Sequence, residues 1–381
     1  MQNVYLDQAA TSFPKAPGIS GAMTEYIDKI GSNLNRSSNE LAAAAARTTL
    51  ETRELLCRLF GFPDSAHVVF TPGVTYSLNY VLKGFLKPGD HCVVSSMEHN
   101  AVVRPLIQLS RQGVAIDRAP CDREGNLLLP QFEALLRPET RLVVMTHASN
   151  VSGTILPVPE VGALCRKRGI AFVLDAAQTA GHLDLDFEAM GLSALCFAGH
   201  KGLLGPAGVG GMLLSPELAQ SMEPLIAGGT GSVSDSEEMP DFMPDRFEAG
   251  TMNIPGIYGL NRALKYILEM TPQALREKEM ALVAQFIEEL RDLPGLRLVG
   301  EPDLARRVGV VSLDFLNRDH GEVSYQLSER YGILTRCGLH CAPWAHKTLG
   351  TFPQGTVRFS FSHFNTEAEV AAAAVAVRSL I

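Results

Sequence analysis

The chain has no window that approaches the ~20 consecutive apolar residues of a membrane-spanning helix. The opening stretch Met1–Asp7 carries neither a basic flank nor an apolar segment of signal-peptide length. Its seven cysteines, at positions 57, 92, 121, 165, 196, 337 and 341, form an odd set scattered except for the last two, and there is no CxxC pair. A disulfide framework is therefore not expected, and a cytoplasmic location is. No run of Lys or Arg offers a footprint for phosphates, and the formal net charge of -8 argues against a nucleic-acid partner. There is no internal repeat and no low-complexity tail. No GxGxxG follows the first strand-like run, which disfavours a nicotinamide dehydrogenase. Gly205-Pro-Ala-Gly-Val-Gly lacks the Gly-Lys-Ser/Thr ending of a P-loop. Its glycines read as a tight turn into a strand.

What is present is a large core. With 381 residues, 46% of them hydrophobic and 19% charged, the chain is long enough for two domains and apolar enough to bury them. From about residue 65 to 215, short apolar runs alternate with helical stretches. The runs at 67–70, 92–95, 141–146, 170–174 and 194–197 are continuous, which suits strands buried on both faces of a mostly parallel sheet. The segment at 210–215 reads as one more strand. Helices are expected at 74–85, 100–111 and 158–168, giving an α/β pattern. Residues 227–256, rich in Gly, Ser and Pro, read as a long loop that is either functional or disordered. Beyond it come long helices over 256–292, strands at 308–315 and 356–362, and a helix at 320–331. The last helix opens on the capping box Thr366-Glu-Ala-Glu369. This C-terminal third reads as a smaller α/β domain.

Ligands of open parallel sheets bind beyond the carboxyl ends of the strands. Phe70 is followed by Thr71-Pro-Gly73-Val74-Thr75, a turn feeding a helix start that favours an anion. Other strand ends lead to Glu98-His99, to His147-Ala-Ser-Asn150, to Asp175 with Gln178, and to Gly199-His200-Lys201. Singly these are ordinary caps and solvated ends. Together they supply a lysine, a carboxylate, imidazoles and a phosphate-ready helix start, the parts that pyridoxal phosphate requires.

A second constellation is Thr335-Arg336-Cys337-Gly338-Leu339-His340-Cys341-Ala342-Pro343. Two cysteines four apart leave open a structural pair, a redox pair, or a metal fragment with His340 and His346. A metal site would need a better-defined fourth ligand, and no metal is expected. A cysteine flanked by Arg336 and His340 in a Gly- and Pro-bounded segment is placed as a nucleophile.

In the order in which these segments occur, the chain resembles the class V aminotransferase family of fold-type I pyridoxal phosphate enzymes, in its cysteine desulfurase and selenocysteine lyase branch. The resemblance runs from Tyr5-Leu-Asp-Gln-Ala-Ala-Thr-Ser through the strand ends above and Glu248-Ala-Gly-Thr251 to Arg336-x-Gly-x-His-Cys341-Ala-Pro and Arg358. It implies a large domain with a mostly parallel seven-stranded sheet (14–255) and a smaller C-terminal α/β domain joined by the N-terminus (1–13 and 256–381).

The resemblance also implies roles. Lys201 carries the cofactor, Asp175 pairs with its ring nitrogen, Gln178 bonds the ring hydroxyl and His99 stacks on the ring. Val74, Thr75 and His200 cradle the phosphate, and Thr251 reaches the phosphate of the partner in a homodimer. Asn150 and Arg358 hold the substrate carboxylate, with Arg336 beside the loop of the nucleophile Cys341. The implied reaction turns L-cysteine into L-alanine, with the sulfur left as a persulfide on Cys341 for an acceptor. Selenocysteine lyase, another lyase or transaminase of the family, and a non-catalytic carrier stand as alternatives. The sequence departs from the family pattern in Ala198, where a hydroxyl is usual, and in Met252, where a proline is usual. Cys337 is extra and is expected to be a small packed residue.

Overall fold

The structure, a computed structural model, describes residues 3–34 and 39–381. Its strands are β1 (Val4–Tyr5), β2 (Val68–Thr71), β3 (His91–Ser95), β4 (Ala115–Ala119), β5 (Thr140–Thr146), β6 (Ala171–Asp175), β7 (Ala194–Ala198), β8 (Gly210–Leu214), β9 (Leu296–Val299), β10 (Val310–Phe315), β11 (Ile333–Leu334), β12 (Arg336–Gly338) and β13 (Thr356–Ser360). The α-helices are α1 (Ile19–Glu25), α2 (Glu40–Phe60), α3 (Val74–Phe85), α4 (Asn100–Ser110), α5 (Leu129–Leu135), α6 (Val158–Arg168), α7 (Pro216–Ser221), α8 (Ile254–Met270), α9 (Pro272–Glu289), α10 (His320–Tyr331), α11 (Pro343–Leu349) and α12 (Glu367–Arg378). Among the described residues no helix is long and apolar enough to cross a membrane.

Seven strands form the large sheet in the order β2-β8-β7-β6-β5-β3-β4. Only β8 runs against its neighbours β2 and β7; the other pairings are parallel. The continuous apolar runs are explained by burial on both faces. Phe172 and Leu174 of β6, and Leu195 and Phe197 of β7, join one hydrophobic cluster. Val173, Ala194 and Cys196, which alternate with them, join the cluster on the other face. Each large apolar side chain buried in this way contributes roughly 1.5–3 kcal/mol. The edge strand β4, Ala-Ile-Asp-Arg-Ala, is mostly solvent-facing and lacks an apolar run, so the sequence pattern did not reveal it.

The smaller sheet, β12-β13-β10-β9, is antiparallel. It is covered by Leu282, Val283 and Phe286 of α9, Leu327 of α10 and Val370, Ala374 and Val377 of α12. The capping box of α12 is formed as expected. The N-terminus joins this body: β1 pairs with β11, and Leu6 is fully buried in the same cluster. The expected helical stretch 256–292 begins at Ile254 and breaks at Thr271, whose φ is 68° and whose hydroxyl caps α9. Ile257, Leu260, Leu264 and Ile267 of α8 belong to the core under the large sheet. Leu275 of α9 joins the same cluster.

The topology sets the carboxyl ends of β2, β3, β5, β6 and β7 along one side. Close approach there depends on Gly210 at the start of β8. A Cβ on Gly210 would lie 2.7 Å from the Gly73 Cα and 2.7 Å from the Phe197 carbonyl oxygen. Both are backbone atoms, so the turn before α3 would have to move. Gly210→Ala is expected to cost about 1–3 kcal/mol through overpacking, read by chemical denaturation. An unchanged midpoint and slope would show that the turn gives way freely.

Candidate active site

Eight of the expected residues line one cavity of about 200 Å3: Val74, Thr75, His99, Asn150, Asp175, Gln178, His200 and Lys201, with Thr146 and Ala177. They come from five strand ends. Asp175 closes β6 and is paired in register with Cys196 of β7, which leads on to Lys201. The Asp175 carboxylate accepts the Ala177 N–H at 3.0 Å, which fixes its orientation. Burial raises its pKa, while that hydrogen bond and the Lys201 charge lower it. Burial pushes the Lys201 ammonium down to about 8; Asp175 opposes the shift, and Arg358 and Arg336 add to it.

His99 is the N-cap of α4. Its Nδ1 accepts the Ala101 N–H at 3.0 Å. Burial, then the charges of Lys201, Arg336, Arg104 and Arg358, lower its pKa to about 4. The ring is thus a neutral imidazole at pH 7, with its proton on Nε2. Behind it Glu98 is fully buried and accepts the Thr146 N–H on both oxygens, at 3.0 and 3.1 Å, and the Ser95 hydroxyl. Burial pushes the Glu98 carboxyl up to about 8, against the pull of those bonds. Gln178 donates to the Ala9 carbonyl at 3.1 Å. His147, considered from sequence, is buried and bonded to Thr179, a structural position.

Helix α3 starts at Val74 with Gly73 as its N-cap and no capping side chain, so its first N–H groups are left for another acceptor. His200 Nδ1 lies 3.2 Å from the Thr11 hydroxyl, and Lys15 Nζ donates to the His200 carbonyl at 2.9 Å. Burial brings Lys15 down to about 8. The methyl of Ala198 is buried.

Cys341 stands exposed on the turn between β12 and α11. His340 and Cys341 both adopt left-handed conformations, with φ of 45° and 59°. This costs roughly 1–2 kcal/mol per residue for a side chain with a Cβ. Three bonds hold the turn: Asn150 Nδ2 to the His340 carbonyl at 2.7 Å, Asn100 N–H to the Cys341 carbonyl at 2.8 Å, and Ala342 N–H to the Leu339 carbonyl at 2.8 Å. Arg336 reaches within 3.8 Å of the Cys341 Sγ. Burial lowers the His340 pKa to about 2, and its Nε2 lies 3.1 Å from the Thr356 hydroxyl, so this imidazole is a neutral strut. Cys337 lies on β12, packed against the small-domain cluster.

Four expected residues do not line this cavity: Cys341 and Arg336, at the turn just described, and Arg358 and Thr251. Arg358 is not on the cavity wall. It is buried behind it, bonded to Asp7 Oδ1 at 2.7 Å and to the Asn150 carbonyl at 3.0 Å, while its Nε has no partner among the described residues. Thr251 is exposed and outside this cavity, 3.4 Å from Asn33 Nδ2. Its loop is anchored by Glu248, which pairs with Arg53 at 2.7 Å and accepts the Phe70 N–H at 2.7 Å. The sequence reading assigned no role to Asp7, Lys15 or the Glu98 carboxylate. Asp7 could have been noticed within Tyr5-Leu-Asp-Gln.

These residues fit pyridoxal phosphate. An uncapped helix start suits the phosphate, a pinned carboxylate the ring nitrogen, a neutral imidazole the ring face, and a lysine with a lowered pKa the aldehyde carbon. The fold and the cavity together define a pyridoxal-phosphate enzyme built on a mostly parallel α/β sheet. The family model described as Aminotransferase class-V matches residues 4–372, and the chain belongs to that family. A "Probable cysteine desulfurase" from Methanothermobacter thermautotrophicus is 34% identical over 376 residues, 97% of this chain and 92% of the relative. A "Probable cysteine desulfurase" from Mycolicibacterium paratuberculosis is 33% identical over 99% of this chain, which spans only 55% of that longer relative. The apo structure of a cysteine desulfurase from Thermococcus onnurineus has a TM-score of 0.93 at 32% identity, covering 100% of this chain and 94% of that one.

With the Lys201 pKa near 8, the neutral amine that captures the cofactor grows as pH rises through about 8. The rate at which cofactor-stripped protein takes up pyridoxal phosphate is expected to follow that curve. Arg336→Ala removes a charge that lowers the lysine, so it should move the inflection upward. Borohydride should then fix the cofactor to the Lys201 peptide; label on a different lysine would overturn the assignment.

Proposed function

We propose that the chain is a pyridoxal-phosphate-dependent cysteine desulfurase that takes sulfur from L-cysteine, leaves L-alanine and carries the sulfur as a persulfide on Cys341. The observation that carries this reading is the exposed Cys341, which lines a neighbouring cavity together with Thr75 and His99 of the Lys201 cavity, with Arg336 3.8 Å from its sulfur. The relatives' shared description supports it over a selenocysteine lyase or a transaminase.

When bound, pyridoxal phosphate supplies an electron sink for the pair released at the substrate Cα. Lys201 would tether the cofactor and, as a neutral amine near its lowered pKa, would take the proton from the substrate Cα. Asp175 would hold the positive charge of the ring nitrogen, Gln178 would meet the ring hydroxyl and His99 would cover the ring face. The uncapped start of α3, with Thr75 and His200, would hold the phosphate. Asn150, on the cavity wall, would receive the substrate carboxylate, with Arg358 behind it holding the Asn150 carbonyl. Cys341 Sγ attacks the substrate sulfur. The S–Cβ bond breaks with its electron pair left on carbon, an S–S bond forms, and protons returned to carbon complete alanine.

Cys341→Ala should abolish sulfide release from L-cysteine while the bound cofactor's absorbance still shifts on substrate addition. Cys337→Ala should keep most activity. Mass spectrometry after brief exposure to substrate should find one added sulfur on the Cys341 peptide. Normal sulfide release by Cys341→Ala would remove the desulfurase reading in favour of another lyase.

The reading includes a homodimer whose cavities are completed across the interface. Thr251 lies three residues beyond the Glu248 anchor and faces solvent, and it lines a cavity with the exposed Ile226. Mixed dimers of Lys201→Ala and Thr251→Ala subunits would then contain one doubly lesioned site and one intact site. They should regain part of the activity that each parent lacks. No recovery on mixing, with subunit exchange demonstrated, would count against the shared site.

A further inference from the structure

Beside Cys341 a second cavity, of about 320 Å3, opens between α3 and α4. Thr75, Asn79 and Lys83 recur at every fourth position of α3, and Asn100, Arg104 and Gln108 do the same on α4. A spacing of four keeps each trio on one helix face, so two polar ladders wall the cavity. Neither helix contains a single acidic residue. Among the described residues, neither Lys83 nor Arg104 has an ion-pair partner. Cys341 lies on the rim, held over the first turn of α4 by the bond from the Asn100 N–H to its carbonyl. Arg104 follows about 6 Å further along that helix, and Lys83 stands about 12 Å along α3 from Thr75, with side chains leaning back toward the helix starts and so toward the sulfur.

Asn150, proposed above for the substrate carboxylate, lines the Lys201 cavity and not this one, and neither Lys83 nor Arg104 lines the Lys201 cavity. We infer that this cavity seats the acceptor of the sulfur, and that the acceptor is a small thiol bearing a carboxylate or similar anionic group, held first by Arg104 and more distantly by Lys83. The inference rests on Cys341 being the persulfide carrier. The cavity is at the lower end of the size range of small-molecule sites, which favours a small thiol over a folded protein. In the transfer, the acceptor thiolate attacks the outer sulfur of the persulfide. The S–S bond to Cys341 breaks, a new S–S bond forms on the acceptor, and the electron pair returns to Cys341 as thiolate. No oxidant or reductant is consumed.

The test uses the holoenzyme and two readouts. In the first, the Cys341 peptide is followed by mass spectrometry as iodoacetate or iodoacetamide alkylates it. Any change in thiolate content affects both reagents, so the ratio of their rates reads the site's preference for a negative charge. At low salt, Arg104→Gln should lower the iodoacetate-to-iodoacetamide ratio about fivefold, Lys83→Gln should lower it less, and high salt should flatten the difference. In the second, enzyme loaded with L-cysteine is offered 3-mercaptopropionate, 2-mercaptoethanol or cysteamine. The anionic thiol should drain the sulfur fastest and the cationic one slowest, with the order lost in Arg104→Gln. Ratios unchanged in both variants, or drainage in the order of thiol nucleophilicity alone, would overturn the acceptor site and leave the desulfurase reading standing. Failure of L-cysteine to place sulfur on Cys341 would instead sink that reading and the acceptor with it.

Discussion

Arg358 sits on β13 with about 1% of its surface exposed, and a charge in that position has to be met inside the protein. Asp7 meets it at 2.7 Å, across 351 positions of sequence, and the Asn150 carbonyl takes a second N–H. Asn150 in turn donates to the His340 carbonyl, next to Cys341. One guanidinium thus links the N-terminal segment, the end of the large sheet, the small sheet and the turn that carries the sulfur. Removing one partner from such a buried pair typically costs about 3–5 kcal/mol. Here the loss would also release the restraint on the Cys341 turn.

The same strand pairing explains Arg336. β12 and β13 are antiparallel, and Arg336 is registered directly opposite Arg358. Like charges facing one another across strands repel. Arg358 is held inward by Asp7, and Arg336 extends outward, to within 3.8 Å of the Cys341 sulfur. Both charges add to burial in lowering the Lys201 pKa, and Asp175 works against them. The arrangement that orients the nucleophile therefore also tunes the base, with the two bodies of the molecule contributing to one field.

The large-sheet strands β2, β3, β5, β6, β7 and β8 were legible because burial on both faces leaves continuous apolar runs, and their carboxyl ends pointed to the polar residues of the cavity. β4 was not, because an edge strand facing solvent keeps Asp117 and Arg118. Long helices were legible past residue 256, and the break between them is written in Thr271-Pro272, a capping hydroxyl followed by a proline in the first turn of α9. The residues of the cavity were legible from their strand-end positions. The engagement of Arg358 was not, since nothing near it in sequence announces Asp7. The role of Glu248 in anchoring the Thr251 loop is likewise a contact with Arg53, 195 positions away.

Reach and strain are connected at Cys341. A nucleophile of the proposed kind, which serves a substrate at Lys201 and then an acceptor outside, has to stand free of the wall, and the exposed Cys341 sits on two successive left-handed residues. Neither is glycine, so the chain cannot adopt this shape cheaply. The turn persists because its carbonyls are bonded from both sides, His340 by a side chain of the β5 end and Cys341 by the first N–H of α4. Those donors belong to the elements that also present Asn150 and His99 to the cavity. The sulfur is therefore positioned by the structure that shapes the cavity, and a change in the lining at Asn150 or at the start of α4 would be felt at the nucleophile before it was felt in the fold.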